Sequence, residues 1–298
     1  MYFPVAGIEI SPFIPPLVAF GISFFASMGG ISGAVLLLPF QMSVLGYTSP
    51  SVSATNHIFN VVASPSGIYR YIKEQRMVWP LALALAAGTL PGVLIGAVVR
   101  VTWLSDPGAF KLFVACVLLY VGGRLLRDLL WTGKIAAPTP PRAAQAEFVV
   151  EMKEASLRRI AYTFQGELHS CPTLGAFAVC FFVGIVGGIF GIGGGAIIAP
   201  ILVSWFRLPV HTLGGAILMG MFVPSVAGVL FYSLLAPYFP DQSVSPDWAL
   251  GLLFGLGGMV GVYLGSCCQR WVPASVIKWG LGLTLVGIAL HYAWGYFV

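Results

Sequence analysis

Residues 184–200 read GIVGGIFGIGGGAIIAP, and residues 24–39 read FFASMGGISGAVLLLP. Each is an apolar run broken by clustered glycine and closed by proline. The runs around them, 13–45 and 173–205, are too long for one membrane crossing, because a spanning helix needs about 17–25 residues. Setting Pro39 on Pro200 superimposes the two at an offset of 161 residues. The same offset pairs Ser64 with Ser225 and Gly67 with Gly228. A few inserted residues later GTLPGVLIG (88–96) meets GGMVGVYLG (257–265), and Lys111 meets Lys278. The chain is therefore read as two related halves.

Composition sets the solvent. The chain has 298 residues, of which 58% are apolar and 8% charged. Soluble domains carry about 25% charged residues, so this chain has too little polar surface for water. The 37 glycines and 21 prolines agree with membrane helices. The net charge of +5 is a topology signal and not a nucleic-acid surface. Five cysteines without metal spacing are expected to be small buried apolar residues. The N-terminus has no basic run ahead of its first apolar segment, which is read as retained.

Further membrane segments are expected at 51–72, 78–99, 109–131, 210–236, 247–268 and 275–297. Residues 1–131 form the N-terminal membrane repeat and 171–298 the C-terminal one. Between them, 132–170 holds a Pro/Ala-rich linker, KIAAPTPPRAAQ, followed by EFVVEMKEASLRRI (147–160). Phe148, Met152 and Ala155 of the latter recur at helical spacing, which predicts a short surface helix.

Basic residues decide the orientation of the halves, because short cytoplasmic loops are enriched in them. If each broken run crosses once, Arg100, Lys111, Arg207, Arg270 and Lys278 lie on one face and ten basic residues on the other. If each enters and returns, only Arg100 and Lys111 oppose the remaining 13. The second arrangement obeys the rule better and leaves three crossings per half, so the second half is inverted. A single crossing with an unwound centre also fits the lengths. The fold class is thus an all-α polytopic membrane protein with two inverted repeats. Each repeat is a glycine-broken pair of half-helices plus three spanning helices, about eight membrane segments in all. Both termini are expected outside and 132–170 in the cytoplasm.

Candidate chemistry follows. Unwound backbone at membrane depth survives only under protein cover or beside a wet cavity. Each break starts a half-helix whose free N–H groups and positive dipole end suit an anion. Gly29, Gly30, Ser32 and Gly33 form the first candidate site, and Gly191, Gly193, Gly194 and Gly195 the second. The segment SVSATNHIFNVVASPSG (51–67) adds Ser53, Asn56, His57, Asn60 and Ser64 on one helical face. The matching face of the second half is Gly214, Ile217, Leu218, Met221 and Ser225, so polarity comes from one half. Polar groups in lipid must turn inward, either to line a cavity or to hold helices together by hydrogen bonds. His57 is a candidate for proton coupling, since carboxylates are absent from the span centres. The triplets Gly88, Gly92, Gly96 and Gly257, Gly261, Gly265 are read as close-packing positions. Gly30-Ile31-Ser32-Gly33 also fits the GxSG pattern of intramembrane serine proteases, with His57 or His211 as base. Against that, the partner of Ser32 is Gly193, which makes the feature architectural.

On the two glycine motifs and the duplication, the chain resembles the TauE/SafE family, the sulfite exporter or toluenesulfonate uptake permeases. The likeness covers essentially the whole chain. It implies a secondary transporter, an exporter by expectation, of sulfite, organosulfonates or similar small anions across a bacterial cytoplasmic membrane. It implies no enzyme activity, cofactor, metal or nucleic-acid partner, and it is compatible with a homo-oligomer. An anion channel is the alternative. The first motif carries Ser32 and Ala34 where the second has Gly193 and Gly195, so the two breaks need not serve the substrate equally.

Overall fold

The computed structural model describes residues 1–29, 31–132, 150–156, 158–164, 166–206, 208–268 and 274–297. After a two-stranded N-terminal hairpin, β1 (Tyr2–Phe3) and β2 (Ile8–Glu9), the first half runs through five helices. They are α1 (Ile14–Gly29), α2 (Ala34–Ser43), α3 (Ser51–Lys73), α4 (Trp79–Thr102) and α5 (Pro107–Thr132). The second half repeats the order with α6 (Thr173–Phe190), α7 (Gly195–Trp205), α8 (Val210–Leu235), α9 (Trp248–Cys268) and α10 (Ala274–Phe297). Each glycine cluster thus falls between two helices.

Among the described residues, α4, α5, α6, α8, α9 and α10 are long and apolar enough to cross a membrane, making this a multi-pass membrane protein. Outward faces carry large apolar side chains such as Phe13, Leu17, Trp103, Leu234 and Trp294. The helix α3 is missing from that set although it has 23 residues, because its polar stripe lowers its mean hydropathy. The helix α6 qualifies with 18 residues while α7 has 11, so the second broken run is divided unevenly.

Glycine sets the helix contacts. Gly88, Gly92 and Gly96 of α4 lie on α6, and a Cβ at Gly88 would come 2.8 Å from the Phe177 carbonyl. Gly257, Gly261 and Gly265 of α9 lie on α1 in the same way, at Pro16, Phe20 and Phe24. These triplets let backbones touch, where van der Waals packing replaces the hydrophobic drive that lipid cannot supply. The helix α3 runs antiparallel to α8, with His57 beside Gly228 and Gly67 beside Leu218. The helix α5 runs antiparallel to α10, with Gly108 near Tyr296 and Gly122 near Leu285. At the second break the chain doubles back. Gly194 lies against Val183, and Phe206 returns to Gly175 near the start of α6.

The helix expected over 147–160 is not present. Its first three residues are outside the described set, and 151–155 is strand β3, paired antiparallel with β4 (Arg159–Phe164) and through it with β5 (Glu167–Pro172). Pairing with the largely buried strand β4 wins here over the helical spacing of Met152 and Ala155, and β3 itself lies exposed along its length. Ile160, Tyr162 and Phe164 all point into the core, and Gly166 at φ +80° closes the turn. The sheet is tied to α8 by a 2.7 Å hydrogen bond between the Tyr162 hydroxyl and Thr212 Oγ1. Burial pushes the Tyr162 phenol up to about 12, so it stays a neutral hydroxyl. The cysteines split: Cys171 and Cys180 are buried as expected, whereas Cys116 and Cys267 are exposed on helix faces, where a thiol costs little against lipid.

Candidate functional site

The second break is a left-handed turn between two helices. Gly191, Gly193 and Gly194 have φ of +80°, +62° and +80°, a region side chains with Cβ avoid. Gly191 ends α6 as an αL cap, its N–H bonded to the Gly187 carbonyl at 2.8 Å. The last carbonyls of a helix need partners from outside it. Here Ser53 Oγ donates to the Ile189 carbonyl at 2.7 Å and Asn60 Nδ2 to the Gly191 carbonyl at 3.1 Å. The Tyr232 hydroxyl of α8 donates to the Gly188 carbonyl at 3.0 Å. The acceptor end of α6 is therefore satisfied by α3 and α8.

The donor end of α7 is different. Its N-cap is Gly194, which has no side chain to offer. Inside the helix the first bonds are from the Ile197 and Ile198 N–H groups to the Gly194 carbonyl. The N–H groups ahead of them have no intrahelical acceptor. The backbone passes from left-handed Gly194 into helical Gly195, the kind of step from which anion-binding backbone nests are built. Gly193 and Gly195 lie against Met221 of α8, and a Cβ on Gly193 would come 3.0 Å from Ser225 Oγ.

The first break is capped by its own side chain. Ser32 Oγ accepts the Ala34 N–H at 3.3 Å, and Gly33 is right-handed at φ −57°. Gly33 faces Ser23 of α1, whose Oγ would stand 2.6 Å from an added Cβ. Gly29 ends α1, and Gly30 lies outside the described residues. Asn56 Nδ2 donates to the Ala34 carbonyl at 3.3 Å.

The polar stripe of α3 thus joins the two breaks. Asn56 reaches the first and Asn60, one turn later, the second. Ser53, Asn56, His57 and Asn60 are all buried. His57 Nδ1 lies 3.2 Å from Ser225 Oγ, and its ring centroid is 6.2 Å from that of Tyr232. Three buried polar atoms around the breaks have no partner: Ser23 Oγ, Asn56 Oδ1 and His57 Nε2. Such atoms are rare in a finished core and ask for water or a polar occupant. Ser32 and His57 are engaged elsewhere, with no hydrogen bond between them among the described residues.

Three contributors were not singled out by sequence. Tyr232 is one aromatic among many in an apolar helix, and Ser23 is one serine in α1. Ser225 carried a signal, since it is the repeat partner of Ser64. Among the described residues no group of three or more His, Cys, Asp or Glu could hold a metal.

The model of the family described as Sulfite exporter TauE/SafE matches residues 16–292. The chain is 22% identical over 275 residues to the probable membrane transporter protein YunE of Bacillus subtilis, covering 89% of this chain and 92% of the relative. It is 24% identical over 278 residues to a probable membrane transporter protein of Xylella fastidiosa, covering 92% and 91%. No solved structure matches. The chain belongs to the sulfite exporter TauE/SafE family, whose members here are membrane transporters and not enzymes.

Proposed function

We propose that this TauE/SafE member is a secondary transporter that exports small anions such as sulfite or organosulfonates across a bacterial cytoplasmic membrane. The anion sits at the two glycine breaks. Ser32 and Gly33 at the first break and Gly193 to Gly195 at the second supply main-chain donors, the Ile31, Gly191 and Ile192 N–H groups being bonded within the fold, and Ser53, Asn56, His57 and Asn60 line the site. The observation that carries this reading is the bridging of both breaks by Asn56 and Asn60, beside a half-helix start that no side chain caps. Two donor-rich ends brought together can hold an anion without a lysine or arginine at the bilayer centre.

Alternating access between inverted repeats is the mechanism. Repeat-equivalent helices α3 and α8 run antiparallel, as do α5 and α10, which supports inversion. The exchange of partners supports it too: α4 packs on α6 as its counterpart α9 packs on α1. The return of α7 along α6 supports breaks that enter and leave on one side, and with the distribution of basic residues this reading has both termini outside and 132–170 in the cytoplasm. Complete burial of the stripe describes an occluded state, which favours a carrier over an open pore.

The test is uptake of labelled sulfite and sulfoacetate into liposomes holding the purified protein, with a neutral amino acid as control. Saturable, trans-stimulated flux of the sulfur anions alone is expected. Ohmic single-channel current would replace the carrier by a channel, and no flux under proton or sodium gradients would remove the substrate class. For His57 the reading is proton coupling: His57→Gln should leave flux that no longer responds to an imposed pH gradient. An unchanged response would take that role away.

A further inference from the structure

A buried cation, Arg100, lies close to the second break. In α4, which lies alongside α6 with Gly96 against Ile185 and Ile189, Arg100 is one turn further on, at the level where α6 ends. It is fully buried. Nη2 donates to the Thr48 carbonyl at 2.8 Å, Nη1 donates to the Leu104 carbonyl, and the guanidinium lies 3.6 Å over the Phe110 ring. Nε has no partner.

Among the described residues no carboxylate pairs with it: the ion pairs join Arg70 and Arg76 to Glu74 and Lys153 to Glu151. Asp247 is the other buried charge, but its oxygens accept the N–H groups of Ala6 at 3.3 Å and Leu250 at 3.0 Å.

A tie between the end of α4 and its neighbouring loops would account for the two carbonyl bonds. Neutral donors could make such bonds, so the tie leaves the charge and the idle Nε–H without a use. Burying a cation with no counter-ion is costly, and a small anion arriving beside it would remove that cost.

Resting on the anion-transport reading, we propose that Arg100 is a second anion contact, met between the glycine breaks and the face bearing the 44–50 loop. It holds the substrate through its unpaired Nε–H and its charge, and thereby sets anion selectivity on that side. The ligand class is a small oxyanion.

The test compares sulfite flux against concentration for wild type, Arg100→Gln and Arg100→Lys in liposomes. Arg100→Gln should raise KM about tenfold or more, the scale of electrostatic focusing, with Vmax per folded protein little changed. Arg100→Lys should recover most of the loss. An unchanged KM with reduced folded yield would make Arg100 a tie and overturn the proposal. Should the glutamine variant not fold, crystals of the wild type soaked in bromide give the second reading. An anomalous peak within contact of Nε supports the site, and an empty map there overturns it. If wild type moves no sulfur anion yet binds bromide at Arg100, the transport reading fails while the anion contact stands.

Discussion

The two glycine breaks occupy equivalent places in the repeat but solve opposite problems. In the second, three left-handed glycines turn the chain, and side chains from α3 and α8 satisfy the carbonyls it leaves behind. Its helix start is left uncapped. In the first, Gly33 is right-handed and Ser32 occupies the Ala34 N–H itself. The second break therefore offers donors, whereas the first keeps one of its own. The difference teaches that the two copies of a duplicated motif can keep the same place in the chain while leaving different numbers of backbone donors uncapped.

The sharpest way to break the comparison is to put a side chain on each break. Gly191→Ala would need a left-handed alanine, costing about 1–2 kcal/mol, with its Cβ 2.9 Å from Ser53 Cα. Gly194→Leu would combine the same strain with a bulky group facing Val183 at 3.1 Å. Both should lose sulfite flux by roughly a hundredfold, a tight-site displacement effect, while the protein still inserts in the membrane. Gly33→Ala meets no left-handed strain; its tightest contact is the Ser23 hydroxyl, which can turn away, while Ser23 Cα at 3.2 Å and Cβ at 3.3 Å need give only slightly. Its flux should fall by less than about threefold, in line with a rotamer cost. Equal losses at Gly33 and Gly191 would erase the asymmetry.

The asparagines sharpen it at smaller scale. Asn60→Ala leaves the buried Gly191 carbonyl without its donor, a loss of about 1–3 kcal/mol. Asn56→Ala removes a longer bond, 3.3 Å, and with it an Oδ1 that had no partner, so the net loss is smaller. Thermal unfolding in detergent should rank Asn60→Ala clearly below Asn56→Ala. The reverse order would place the structural burden on the first break.

Much of this was readable beforehand, because membrane physics leaves few choices. Six long helices, the broken runs and the glycine triplets follow from length and small-residue spacing, with bounds close to those expected. The segment 51–72, however, is too polar to count among the candidate spans, whereas α6 of the second broken run is one of them. The stripe of α3 was legible since polar groups in an apolar helix must turn inward. What the stripe touches was not. Ser53 and Asn60 reach carbonyls more than 130 residues away, and no local pattern encodes that. Arg100 was read as a loop charge marking topology, because it sits near the end of a span, and only the fold of Thr48, Leu104 and Phe110 around it makes it a buried cation. The strands at 151–172 were missed because Met152 and Ala155 fit a helix, while the alternation in RIAYTF was not weighed.

The smallest effect bears most directly on whether the first break withholds a donor. Ser32→Gly would free the Ala34 N–H and make the first break chemically like the second. Losing a cap to glycine costs only a few tenths of a kcal/mol, and to alanine about 1 kcal/mol. Ser32→Gly should therefore keep its unfolding temperature nearly unchanged and bind sulfite slightly better, with KM lower by about twofold, one added N–H being a modest gain. Ser32→Ala frees the same N–H but keeps an apolar Cβ beside it and loses more of the cap, so it should lose stability and gain less. A hydroxyl that contacted the anion itself would give the opposite sign: both variants would raise KM, and the alanine variant no more than the glycine one. The direction of the KM shift therefore decides whether Ser32 competes with the substrate for the Ala34 N–H or joins in binding it.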